Sequence, residues 1–201
     1  MDKVILVILD KFADWEPAYV ASWLQNELAP GKYEVLFASA DKAPKRSIGH
    51  MNVLPDLTLD EIPDDARALI LIGADGSWRK QAYPQIAALA VRFKREGKVF
   101  AAICDAARFA GVNGLLNDVS HTLNNPEDMQ GVAAYTNAAG FVAQDAVRDG
   151  NVVTANGNAP AAFAAEVARA LGAAEEKDIM MQYDFYTMGY YAALRKYGYI
   201  T

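Results

Sequence analysis

The sequence predicts an α/β fold: a doubly wound, mostly parallel sheet sandwiched by helices, flavodoxin-like in plan. Three observations carry this reading. Residues 4–9, 68–72 and 99–103 are short apolar runs without polar alternation, the pattern of strands buried on both faces of a parallel sheet. The stretches that follow them place apolar residues at three- and four-residue spacing, as amphipathic helices do. Pro and Gly punctuate the joints, and strands alternating with helices specify right-handed crossovers onto both sheet faces.

The elements follow in order. Residues 4–9 (Val-Ile-Leu-Val-Ile-Leu) form the first strand, which Asp10 ends. Residues 16–28 form a helix with Ala18, Tyr19, Ala21, Leu24 and Leu28 on its apolar spacing and Pro17 in its first turn. Pro30-Gly31 stops it, and residues 33–40 form the second strand. Residues 41–65 are rich in Pro and Gly and hold two extended pieces, near Ser47-Ile48 and Asn52-Val53-Leu54, which predict a small hairpin on the sheet edge. A strand at 68–72, a helix at 83–96, a strand at 99–103 and a helix at 105–116 resume the alternation. Residues 119–122 and 152–155 are two further candidate strands, and 160–171 is an Ala-rich helix. Residues 178–199 carry Ile179, Tyr183, Tyr186, Tyr190, Leu194 and Tyr197 at helical spacing and read as a C-terminal helix, either packed on the sheet or contributing to a homodimer contact. The whole of 1–201 reads as one domain with a helical extension from 175 onward.

Composition narrows the function. A net charge of −6 without a basic cluster argues against a nucleic-acid partner, since phosphate binding requires grouped Lys and Arg. No apolar run approaches the roughly 20 residues of a membrane span, and the N-terminus lacks a signal-peptide pattern. A single cysteine makes no internal disulfide, so a reducing, cytoplasmic setting is expected. One Cys and two distant His do not form a metal-ligand cluster, and no glycine fingerprint for phosphate follows a strand, so neither metal nor cofactor is expected. The implied partner is a small-molecule substrate.

In such a sheet, ligands bind beyond the carboxyl ends of the strands. Three features meet at that edge. Cys104 stands at the corner where an apolar strand runs into an alanine-rich helix, a nucleophile-elbow arrangement that exposes the side chain above the sheet. The helix N-terminus there is expected to lower the thiol pKa and to offer free N–H groups to an oxyanion. Glu16 opens the helix after the first strand, and the small residues of Gly73-Ala74-Asp75-Gly76-Ser77 follow the third. Each has a bland alternative: a lone cysteine as a small buried hydrophobe, a helix-opening glutamate as a dipole partner, a small-residue loop as an ordinary turn.

Together these pieces resemble the ThiJ/PfpI superfamily, whose fold is similar to the class I glutamine amidotransferase domain. The resemblance spans roughly residues 3–172. Its carriers are 4–9 with Glu16, Ser47-Ile48-Gly49 with Val53-Leu54-Pro55-Asp56, the 73–78 loop and Ala102-Ile103-Cys104-Asp105-Ala106. It implies Cys104 as nucleophile held against a protonated Glu16, with oxyanion donors from Ala74 or Asp75 and from Asp105. The register of the loop is open by one residue, because Ala74-Asp75 stands where the family shows two glycines. Members with protease-like or amidotransferase-like chemistry carry a histidine as base. Asp105 occupies one of its positions, and His121 falls near the other; His50 lies in the hairpin. The late His-Glu pair of glutaminases is absent from the corresponding segment, Asn156-Gly157-Asn158-Ala159-Pro160.

The resemblance therefore implies a cysteine-dependent hydrolase or lyase acting on a small carbonyl or acyl compound, deglycase/glyoxalase-like or amidase/peptidase-like, with Glu16 and His121 exchanging protons. Two alternatives stay open: a redox-sensing or protective protein, active in oxidative stress, whose cysteine is oxidised without turnover, and a glutamine amidotransferase-like subunit that needs a partner. A homodimeric habit is also implied.

Overall fold

The computed structural model describes residues 1–81 and 83–201. Nine strands, β1 (Asp2–Val7), β2 (Tyr33–Ser39), β3 (Lys45–Arg46), β4 (Asn52–Val53), β5 (Leu57–Thr58), β6 (Ala68–Leu71), β7 (Val99–Ile103), β8 (Ala146–Asp149) and β9 (Val152–Ala155), occur among the described residues. The helices are α1 (Trp15–Ser22), α2 (Ser77–Lys80), α3 (Pro84–Arg95), α4 (Asp105–Val112), α5 (Pro160–Leu171), α6 (Glu176–Thr187) and α7 (Tyr190–Lys196).

Seven strands form one sheet in the order β5-β2-β1-β6-β7-β9-β8, parallel throughout except for the β8–β9 pair. The expected α/β plan is met. The chain leaves β1 in one direction to reach β2 and leaves β6 in the other to reach β7, so right-handed crossovers put α1 and α3 on opposite faces. On one face α1 packs on α5 and α5 on α6; on the other α3 and α4 pack on β7. The strands are apolar on both sides because both sides are covered: Val4, Ile5, Leu6 and Val7 of β1 and every residue of β6 are fully buried. The α3 stripe Ile86, Ala90 and Phe93 is likewise fully buried, at the helical spacing. The reversal of winding falls between β1 and β6, and at such a switch point a crevice opens at the carboxyl ends of the strands.

Four expectations are corrected. Residues 119–122 form no strand: His121 makes a single bridge to Phe141, and the place beside β9 is taken by β8, which the expected order lacked. The β8–β9 turn is Gly150-Asn151, with Gly150 at φ 59°, and Asp149-Gly150 was its signal in the sequence. The hairpin exists, as β3–β4, but it is a separate two-stranded ribbon; the sheet edge is β5. The C-terminal helix is two helices, broken at Gly189, whose φ of 92° no helix accommodates. Helix α4 ends at Val112 instead of running to 116, followed by Gly114 at φ 72°.

The hairpin's position matters for the site. Its loop clasps the segment after β1, through Lys11 N–H to Arg46 O at 2.6 Å and Ile48 N–H to Phe12 O at 2.9 Å. Asp14 completes the clasp by accepting the Ser47 hydroxyl and the Gly49 N–H, the latter at 2.7 Å. Burial works against the Asp14 charge, yet these two hydrogen bonds hold its carboxyl below the usual range. Glu16 therefore begins its helix on an anchored loop.

Candidate active site

Cys104 sits between β7 and α4 with φ 62° and ψ −131°. A non-glycine residue there is strained, at a cost of order 1–3 kcal/mol. The surroundings enforce it: the Cys104 N–H donates to Ala155 O at 2.9 Å, fixing the corner to β9, and its carbonyl accepts the Ala107 N–H at 3.0 Å, starting α4. The side chain is thereby raised out of the strand, half-buried, at the wall between two hollows of ≈590 and ≈490 Å³ that share Trp15, Cys104 and Asn124.

Glu16 meets it there, fully buried. Its Oε2 accepts the Gly73 N–H at 2.6 Å, while Oε1 has no hydrogen-bond partner among the described residues. A Cβ on Gly157 would lie 2.8 Å from the Cys104 sulfur and 3.3 Å from Glu16 Oε1, so the two groups flank one small space. Gly73 is constrained as tightly, since a Cβ on it would stand 2.5 Å from Glu16 Oε2 and 2.6 Å from Cys104 Cβ. Both glycines are present because acid and thiol crowd the backbone.

The electrostatics follow from burial. Desolvation raises the Glu16 pKa from 4.5 to about 7, with the Gly73 hydrogen bond opposing. The thiol is also pushed up, to about 11, first by burial and then by the Glu16 charge, while the Asn124 carboxamide and the Asp105 N–H pull it down. The expected lowered thiol pKa is thus reversed: the short N-terminal dipole of α4 is outweighed by burial beside a carboxylate. The two groups behave as a pair, losing one proton near 7 and holding the other to about 11.

Of the expected oxyanion donors, the Ala74 N–H donates to no acceptor among the described residues, whereas the Asp75 N–H is spent on Lys11 O at 2.9 Å. The Asp75 N–H is therefore not available as expected, and Ala74 is the one of the two whose N–H stays open among the described residues. The Asp105 N–H lies at the sulfur and has no other acceptor among the described residues. Its carboxylate is held by Arg79 through Nε at 3.0 Å and Nη2 at 2.7 Å.

His121 does not join the group. It is fully buried, with Nδ1 3.0 Å from Val119 O and Nε2 2.7 Å from the Tyr135 hydroxyl, so both ring nitrogens are engaged away from the thiol. It braces the wall behind Thr122 and Leu123, which line the larger hollow. His50, at φ 70°, lies in a separate hollow with Lys11 and Arg46. The residue sequence reasoning missed is Asn124. Its Nδ2 donates to Cys104 Sγ at 3.2 Å and its Oδ1 accepts the Gly157 N–H at 2.8 Å, clamping the 156–160 loop against the sulfur. Trp15 adds a second clamp through Nε1 to Gly157 O at 2.8 Å. That loop reaches the thiol but carries no titratable side chain, in keeping with the missing glutaminase pair. Among the described residues no group of three or more His, Cys, Asp or Glu is placed to hold a metal ion, and no helix is long and apolar enough to cross a membrane.

Comparison with known proteins agrees with the fold. A profile described as the DJ-1/PfpI family matches residues 2–170. The chain is 33% identical over 198 residues, 98% of each sequence, to a Bacillus subtilis (strain 168) protein named "Uncharacterized protease YdeA". Among solved structures it resembles the DJ-1 superfamily protein Atu0886 of Agrobacterium tumefaciens, with a TM-score of 0.84 and 35% identity, covering 94% of this chain and 99% of that one. A thiJ/pfpI family protein from Bacillus anthracis superposes with a TM-score of 0.86 at 26% identity, covering 97% and 96%.

Proposed function

As a protein that belongs to the DJ-1/PfpI family, this chain is, we propose, a cysteine-dependent hydrolase or lyase acting on a small carbonyl or acyl compound. The protease name of the Bacillus subtilis relative supports hydrolysis as the coarser class. The observation that carries the reading is the strained Cys104 corner, which sets one sulfur against a buried carboxyl oxygen without a partner among the described residues, with the Ala74 N–H unengaged among them and the Asp105 N–H at the sulfur.

The chemistry runs as follows. The Glu16 carboxylate, with a pKa of about 7, takes the thiol proton as Cys104 Sγ bonds to the carbonyl carbon. The carbonyl π pair moves to oxygen, and the Ala74 and Asp105 N–H groups stabilise the oxyanion. With an amide or ester, the oxyanion collapses, the bond to the leaving group breaks and Glu16 returns the proton to that group; water then hydrolyses the thioester. With an aldehyde, the same proton goes to the oxyanion and gives a hemithioacetal. The test is to offer purified protein methylglyoxal, model amides and glutamine. Turnover of one of the first two that is lost in Cys104→Ser supports the reading, and no turnover of any would overturn it.

A second reading rests on the donors around the sulfur. Asn124, the Asp105 N–H and a protonated Glu16 would also hold a sulfinate, which favours oxidation of Cys104 without turnover. Mass spectrometry after mild peroxide tests it, with selective gain of two oxygens at Cys104 expected. We also propose a homodimer and a reducing, cytoplasmic location, the latter from the single free cysteine.

A further inference from the structure

Asp105 poses a problem for a reactive cysteine: a carboxylate directly after the nucleophile disfavours any negative charge on the sulfur or on Glu16. The structure meets it from another element. Arg79, on α2, grips Asp105 with Nε at 3.0 and 3.2 Å and Nη2 at 2.7 Å, and the same Nη2 reaches Asp128 at 2.8 Å. A bidentate fork within a network is the geometry in which a partly exposed ion pair carries weight. Asp105 is itself largely covered, its side chain 12% exposed. Asp128 lies in the turn Pro126–Met129, which begins two residues after Asn124, the donor to the sulfur.

We propose that Arg79 is a positioning residue of this site, which neutralises the Asp105 carboxylate and so sets the proton affinity of the Glu16–Cys104 pair. This rests on Cys104 being the reacting group. The guanidinium lines the ≈490 Å³ hollow together with Cys104, Glu16 and Asp105. The other charged groups facing the thiol are accounted for. Glu16 comes from α1, Asp75 is paired with Lys11 at 3.6 Å, Asp145 lines the larger hollow, and Arg108 on α4 stands 3.8 Å from Asp128. Among these, Arg79 is the cation bonded to the carboxylate that adjoins Cys104.

The experiment is the pH dependence of Cys104 alkylation by iodoacetamide, followed by mass spectrometry, in wild type, Arg79→Met, Asp105→Asn and the double variant. The lower inflection is expected to rise by about half a unit to one unit in Arg79→Met, roughly three- to tenfold less thiolate at a given pH below it. It is expected to fall in Asp105→Asn and to return near the wild-type value in the double variant, where neither charge remains. An inflection unmoved by Arg79→Met overturns the inference. So does a double variant that stays at the Arg79→Met value, because the arginine would then act by holding the loop and not by cancelling the carboxylate. Asp105→Asn alone gives the sign even if Arg79→Met folds poorly. The wild-type curve by itself reports whether Cys104 is activated, so failure of the functional reading is seen separately from failure of the Arg79 assignment.

Discussion

The Asn124 carboxamide nitrogen lies 3.2 Å from the Cys104 sulfur, and the same side chain accepts the Gly157 N–H at 2.8 Å. One amide thus steadies both the nucleophile and the loop that crowds it.

Asn124→Ala removes the side-chain donor that pulls the thiol pKa down. At neutral pH, Cys104 alkylation is expected to slow by roughly three- to tenfold, the loss of about one ordinary hydrogen bond. Rates measured against Asn124→Asp, which adds a negative neighbour, should rank wild type above Ala and Ala above Asp.

Cys104 alkylation in the wild type should rise in two steps, near pH 7 and again toward 11, as the pair gives up its protons in turn. In Glu16→Gln the negative neighbour is gone, so a single step is expected below 11. A single wild-type midpoint at the free-thiol value of about 8.5 would contradict the pairing.

Stability carries the same signature. The Glu16 carboxyl binds its proton more tightly folded (about 7) than its ordinary value of 4.5 allows in the unfolded chain. Between those values the folded state holds more protons, so its contribution is intact below pH 4.5 and is lost as pH rises through 7. Glu16→Gln should therefore be more stable than wild type at pH 8, by on the order of 2–3 kcal/mol, and nearly equal to it at pH 4. Urea unfolding at both pH values measures this.

Gly73→Ala places a methyl 2.5 Å from Glu16 Oε2 and 2.6 Å from Cys104 Cβ, so one of them must shift. A loss on the order of 1–3 kcal/mol is expected from overpacking, together with loss of Cys104 reactivity. Gly31→Ala, at an open surface position with φ 77°, should leave the reactivity unchanged.

Self-association is tested on α7. Ile179 and Ala193 are buried and Tyr186 packs on Tyr19 and Trp23, but Tyr190 and Tyr191 are 62% and 68% exposed. Light scattering should give twice 21.8 kDa at micromolar concentration, falling to 21.8 kDa in Tyr190→Asp/Tyr191→Asp with circular dichroism unchanged. A wild-type mass of 21.8 kDa would sink the homodimer.

The central strands and the Cys104 elbow were legible because both are local: an unbroken apolar run needs no distant partner to be read as a buried strand, and a strand-to-helix corner is visible in consecutive residues. Glu16 and the 73–78 loop followed from the rule that strand ends converge, while Ala74 or Asp75 as a donor followed from the family resemblance. Asn124 was not legible, since the carboxamide sits in a turn far from Cys104 in sequence and nothing in its neighbours marks it. His121 misled for the opposite reason: its residue type suggested chemistry, while Tyr135 and Val119 absorb its ring. Burial of the thiol beside Glu16 is a tertiary property, which is why the dipole argument gave the wrong sign for its pKa.

The two hollows that meet at the sulfur differ in character. One is bounded by Arg79, Asp105 and the Ala74 turn, the other by Gln144, Asn156 and Phe141. A molecule lying across Cys104 accordingly has a head and a tail. On the proposed reading its carbonyl oxygen points to the side where Ala74 and Asp105 stand, and whatever extends beyond the reacting carbon is received among carboxamides and an aromatic ring. Turned end for end, the same molecule would fill the space without presenting its oxygen to either donor, so the cleft reads direction as well as shape.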